Sequence, residues 1–172
     1  MAETTGGPMG VLTDYFRAAD AASVVKVLER TDGGSPVLPR PGVFDGVEAK
    51  RLDPVLVLGE LIAAIREVPW SVDIVSETCV WPATPAPGPD GPASDDDPWA
   101  TGPWVTELGT GVRDILAAVP DAEVPAAVAR WVECEELRGT EAEDIRPLAE
   151  ELIQLARRAH EAEERLYCWM CL

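Results

Sequence analysis

The sequence predicts an α+β domain, mostly helical with a small sheet, and three observations carry that prediction. Apolar and aromatic residues crowd two short segments near the ends, "GVLTDYF" and "RLYCWMCL". Between them, two long stretches place apolar residues three and four apart, the helical period. The chain has 172 residues, 47% of them apolar, and a length of roughly 100–200 residues favours one domain with one core.

Residues 1–8, "MAETTGGP", are small and polar and are expected to form a flexible tail, with Met9 an alternative start and the domain spanning 9–172. A strand is expected over about 10–17. "DAASVVKVLERTDGG" then predicts a helix: Asp20 is the N-cap, Val24, Val27 and Leu28 share a face, and Gly33 or Gly34 supplies the stop. Residues 35–50 are rich in proline and glycine and predict a surface loop.

The clearest helix start follows, in "LDPVLVLGELIAAIREVPW". Asp53 caps, Pro54 occupies the first turn where its missing N–H costs nothing, and Pro69 ends the run. A helix so apolar on every side belongs at the centre. Residues 71–81 fit a short helix or a strand equally well. Residues 82–99 hold six prolines, two glycines and four aspartates, the composition of a solvated, mobile loop rather than of a domain boundary.

"PWVTELGTGVRDILAAV" predicts a short turn and then a helix through Val119, and a further helix is expected from about Pro125 to Leu137. Thr140 with Glu143 has the pattern of a capping box for the longest helix. There Ile145, Leu148, Leu152, Leu155, Ala159 and Ala162 form one apolar stripe opposite Glu150, Glu151, Arg157, Arg158, Glu161 and Glu164. The chain closes with a strand over about 166–171, placed centrally or against the first strand. Alternation puts Leu166, Cys168 and Met170 on one face and Tyr167, Trp169 and Cys171 on the other.

Thirty-one acidic residues against fourteen basic ones leave a formal charge of −17. That field repels phosphates and anionic lipid, so nucleic acid and membrane surfaces are excluded as partners, while a basic protein is favoured. The longest apolar stretch, "VLVLGELIAAI", contains Glu60 and falls well short of the ~20 residues of a membrane span. A cytoplasmic protein with reduced thiols is expected.

The pair Cys168 and Cys171 has C-x-x-C spacing, yet no helix can begin at the end of the chain to stabilise a thiolate. In a strand their Cα atoms lie roughly 10 Å apart, beyond the ~7 Å limit for a disulfide. A structural zinc site normally takes two close ligand pairs. Here it would need Cys79, Cys134, Cys168 and Cys171 together, although only one close pair exists; packing in the core is the ordinary role of such cysteines. The single histidine, His160, sits among polar neighbours on a helix, which suits a solvated face better than a catalytic triad. No Walker loop, no G-x-G-x-x-G and no H-E-x-x-H is present, and no cofactor is implied.

What remains are tryptophans and carboxylates around the proline-rich loop. Trp81, Trp99 and Trp104 flank it, and Asp95, Asp96 and Asp97 crowd within it; these are the candidate binding residues. "ECEEL" adds Glu133, Glu135 and Glu136. The pieces "MGVLTDYFRAAD", "FDGVEAKRLDPVLVLGELI", "VPWS", "TGPW" and "ARRAHEAEERLYCW" resemble a family of small actinobacterial proteins of unknown function. More distantly the chain is similar to the YfbM-like domain of unknown function, which opens with "MG" and an aromatic pair and closes with a long helix and one strand. The resemblance implies a single α+β domain and no catalytic residue. The leading functional expectation is an acidic protein-interaction module of binding, inhibitor or immunity type. The alternative is an enzyme or small-ligand binder with a tryptophan-lined pocket near the Asp53 helix and carboxylate chemistry.

Overall fold

In the computed structural model, which describes residues 11–39 and 41–172, a five-stranded antiparallel sheet carries helices on one face and a smaller cover on the other. The expected tail and the alternative start at Met9 lie outside the described residues. In chain order the elements are β1 (Leu12–Ala18), α1 (Ala21–Arg30), β2 (Gly46–Glu48), α2 (Val57–Arg66), β3 (Glu77–Trp81) and α3 (Pro98–Thr101). There follow β4 (Trp104–Leu108), α4 (Thr110–Ala118), α5 (Val124–Trp131), α6 (Ala142–Glu161) and β5 (Arg165–Cys171). The strand order is β2-β1-β5-β4-β3. The first and last strands of the chain therefore pair at the middle, from Leu12 opposite Cys171 to Ala18 opposite Arg165.

Both faces of β5 are covered, so both are apolar. Leu166 and Cys168 face a core shared with Tyr15, Leu108 and helices α2, α4, α5 and α6. Tyr167 and Trp169 face a second cluster with Phe16, Val105, α1 and Val37. In that second layer Phe16 stacks between Phe44 and Tyr167, with centroids 5.4 Å away on each side. The expected alternation along the last strand is the observed one.

Helix α1 begins as expected, with Asp20 Oδ1 accepting from the Ser23 N–H at 2.8 Å. It ends through Asp32 and Gly33, both at positive φ, and the Gly33 N–H returns to Leu28 O at 2.8 Å. Gly33 also lies so near Pro103 that an added Cβ would come within 2.7 Å of that ring. Helix α2 is the central buried helix, with Val57, Leu58, Gly59, Leu61, Ile62, Ala63 and Ala64 all buried. Asp53 does take the N–H groups of Val55 and Leu56, but the chain makes a turn there and the regular helix starts later, at Val57.

Four expectations are corrected. Residues 104–108, read as a turn, form strand β4, because Val105 and Leu108 face opposite cores from one extended segment. The helix expected over 125–137 stops at Trp131; turns and a short 3-10 segment over Glu135–Leu137 follow. The Thr140/Glu143 capping box does not form, since Glu141 occupies the cap position and makes no side-chain bond there. The α6 stripe holds at Ile145, Leu152, Leu155 and Ala159 and adds Ala149, Ile153 and Ala156, while Ala162 caps the helix and is exposed. The undecided segment 71–81 resolves into turns and then β3, and the loop over 35–50 contains the short strand β2.

Asp45, just before β2, gathers Arg17 of β1 and Arg158 of α6 at 2.7 Å each, and Arg17 also reaches Glu164 at 2.7 Å. Burial alone would raise the Asp45 carboxyl, but hydrogen bonds from Arg158 and Arg17 outweigh it and hold the group below the usual carboxylate range. A depressed carboxyl contributes stability that is complete above its unfolded value, about 3.9, and that is lost as pH falls through the folded value. Asp45→Asn is accordingly expected to flatten the acid limb of stability below about pH 4, read from urea midpoints across pH. An acid limb as steep as the parent's would show that the network contributes nothing there. In the core, buried Tyr15 donates from its hydroxyl to Leu52 O at 2.6 Å. Tyr15→Phe leaves that carbonyl short of a partner and should cost about 1–2 kcal/mol with an unchanged urea slope.

Candidate functional site

The residues singled out around the proline-rich loop are not gathered into one pocket. Trp81 pairs with Val105 and packs in the α1-side cluster beside Trp169. Trp104 precedes Val105 and pairs with Met170, so it faces the opposite side of the sheet. Both lie in strands and are half-buried rather than displayed on a loop. Trp99 donates from its indole to Thr84 Oγ1 at 3.1 Å, a bond that joins the two sides of the loop's neck. Asp97 caps the single turn of α3 by accepting the Trp99 N–H at 2.9 Å, while Asp95 and Asp96 stand in solvent.

The cysteines are likewise dispersed. All four are free thiols: Cys168 is buried under the helices, Cys171 faces the other layer, Cys79 is exposed on the edge strand and Cys134 lies past α5. Among the described residues no group of three or more His, Cys, Asp and Glu side chains could hold a metal ion. Burial pushes the thiols of Cys168, Cys79 and Cys134 up, Cys168 furthest, which opposes thiolate chemistry. His160 is exposed, as expected, with Nδ1 3.2 Å from Asp114.

On edge strand β3, exposed Glu77 accepts from Thr106 Oγ1 of β4 at 3.0 Å. Partial desolvation raises its carboxyl, the Thr106 hydroxyl opposes that rise and Asp53 adds to it. Because Glu77 is exposed, the contact is a solvent-facing polar pair at the sheet edge.

A concave site forms elsewhere, where α2 and α5 end side by side. Helix α2 stops at Glu67, which takes a left-handed conformation (φ 54°), and the Val68 N–H bonds back to Ala63 O at 3.1 Å. Pro69 prevents continuation, and Trp70 folds back along α2 to donate from its indole to Val55 O at 2.9 Å. Gly59 makes that course sterically open: a Cβ there would stand 2.8 Å from Trp70 Nε1 and 3.2 Å from Ile74 Cγ2. From α5, Trp131 donates to Val57 O at 2.8 Å and Arg130 Nε donates to Ala64 O at 2.9 Å.

The resulting cleft holds about 380 Å³, within the range of ligand clefts, about 300–1,000 Å³. Glu60, Glu67 and Glu133 line it together with Val68, Pro69, Trp70 and Arg130, over the buried Ala63 and Ala64. Arg130 stands 3.6 Å from Glu67. Neither Glu60 nor Glu133 has a basic partner among the described residues. Burial raises the Glu60 carboxyl, and the neighbouring Glu136 raises it further. An arrangement of this kind attracts a cation and offers it an aromatic wall.

Comparison with known protein families, curated proteins and solved structures finds no match to the chain. The resemblance to the YfbM-like domain therefore rests on the sequence pieces alone. The alternative read from the sequence, a tryptophan-lined pocket near the Asp53 helix, named no lining residues; Glu60, Glu67, Trp70 and Arg130 are scattered along the chain, and "VPWS" and "ECEEL" were the visible parts of the cleft. Gly59→Ala should displace Trp70 from α2, costing about 1–3 kcal/mol of stability by overpacking and moving the Trp70 indole resonance. An unmoved indole would mean that Gly59 is not what seats that ring.

Proposed function

We propose that this protein is an acidic interaction module that binds a basic protein partner. The observation that carries the reading is how its arginines are used. Arg17, Arg113, Arg130, Arg138, Arg146, Arg157, Arg158 and Arg165 are all engaged in internal ion pairs. Several of them also meet backbone carbonyls: Arg130 on Ala64 O near the end of α2, Arg157 on Val119 O at the end of α4, and Arg113 on Glu164 O just before β5. Eight of the fourteen basic residues are thus paired within the chain, and each pair uses a carboxylate as well, so the formal charge of −17 remains as unpaired acidic excess. A surface of that sign accelerates and orients encounter with a positively charged protein and suppresses encounter with phosphates.

The alternative, a small-ligand binder, draws on the cleft beside α2, which has one tryptophan and three carboxylates. It lacks an acid–base pair set against a nucleophile, and the reading as an interaction module accounts for more of the surface. Native co-purification at low salt is expected to recover a stoichiometric protein of basic charge that dissociates as salt rises, because exposed charge attraction is screened within about 8 Å at 0.15 M. A stoichiometric partner that is neutral or acidic, or one indifferent to salt, would overturn the proposal.

A further inference from the structure

We infer that the cleft between α2 and α5 is where the basic partner inserts a lysine or arginine side chain. This rests on the interaction reading above and names its point of contact. The chemistry of the lining selects an elongated organic cation. Glu60 and Glu133 offer carboxylates with no basic partner among the described residues. Trp70 and Pro69 supply an apolar wall along which an aliphatic stem can lie while the charged head meets the carboxylates. A bare metal ion does not suit the site, since its carboxylates do not converge into a group of three.

The one cation already present, Arg130, leaves room for another. Its Nε is bound to Ala64 O and its terminal nitrogen leans toward Glu67, so its charge is committed to the end of α2. Glu60 and Glu133 remain for an incoming head group.

The surroundings favour a side chain presented by a protein over a free small cation. Leu56, next to the Val55 carbonyl that seats Trp70, is exposed, as are Val68 in the cleft wall and Val72 just beyond Trp70. Apolar side chains around a charged cleft are matched by a partner that brings apolar residues beside its lysine or arginine; a small cation would leave them in water. The aspartates of the proline-rich loop make a weaker docking point, because Asp97 is engaged as a cap and no wall or cavity accompanies Asp95 and Asp96.

The test uses the full chain, decalysine as the macromolecular probe and N-acetyl-lysine methylamide as the small one, with amide and indole resonances followed at one fixed ionic strength. Decalysine is expected to move the Trp70 indole and the amides of Glu60 and Glu133. The double variant Glu60→Gln/Glu133→Gln should weaken its binding by about tenfold or more, whereas Asp95→Asn/Asp96→Asn should change it by less than about twofold. The double Gln variant should fold, with a thermal midpoint at or above the parent's, because it removes a carboxylate whose ionisation burial disfavours. Equal losses in both variants, or shifts away from Trp70, would overturn the cleft as the docking point while leaving the interaction reading to its own co-purification test. Failure of decalysine to bind the parent at all would also overturn the cleft. Binding of the methylamide as tight as that of decalysine would show a small-cation site instead of a docking surface.

Discussion

Strand β5 is the constraint on which the rest of this structure depends. It lies between β1 and β4, and each of its faces meets a separate apolar layer. A strand covered on both sides has no solvent face and must be apolar throughout its centre. Leu166 and Cys168 meet the four-helix layer; Tyr167 and Trp169 meet α1 and the segment after it. Its pairing with β1 joins the two ends of the sequence, so the sheet assembles only when contacts distant in sequence form. Cys168 belongs to this arrangement as a small buried side chain, and Cys171 lies on the opposite face, so the two thiols of the C-x-x-C spacing are not brought together.

Around that strand, polar atoms of large side chains complete the backbone. The indole N–H groups of Trp70, Trp131 and Trp169 donate to Val55 O, Val57 O and Gly33 O. Guanidinium groups do the same at helix ends. Buried or half-buried carbonyls need such partners, because leaving one unmet costs about 1–3 kcal/mol. This use of arginine has a consequence at the surface. The side chains that complete the backbone are drawn from the small basic complement, and the carboxylates outside are left in excess. The acidic excess and the internal satisfaction of the fold draw on one composition.

Helices were the most legible part of the sequence. The Asp20 cap and the apolar run of α2 act through neighbours within a few residues, as did the long stripe of α6, so local pattern was enough. Errors came where a distant contact decided. Val105 and Leu108 lie extended because two layers claim them, and no local alternation announced β4. Thr140 and Glu143 matched a capping box, yet the chain leaves the turn at Leu137 with the Thr140 N–H on Leu137 O, and the helix opens after Glu141. Trp81 and Trp104 looked like neighbours on one loop; one strand register placed them on opposite faces. A tryptophan-lined pocket near the Asp53 helix was expected only in outline, since Glu60, Trp70 and Glu133 are joined by the way α2 and α5 pack together.

By itself the sequence determined the α+β class, the first and last strands, the alternation along the last one, the central buried helix and the sign of the net charge. Each of these follows from composition or from spacing within a few residues, where backbone geometry alone relates pattern to structure. Only the tertiary structure decided the strand order, the identity of β2, β3 and β4, and the dispersal of the cysteines and loop tryptophans. It also decided the meeting of three glutamates with Trp70. Those depend on which segments pack together, a choice made by burial across the whole chain and recorded in no single stretch of it.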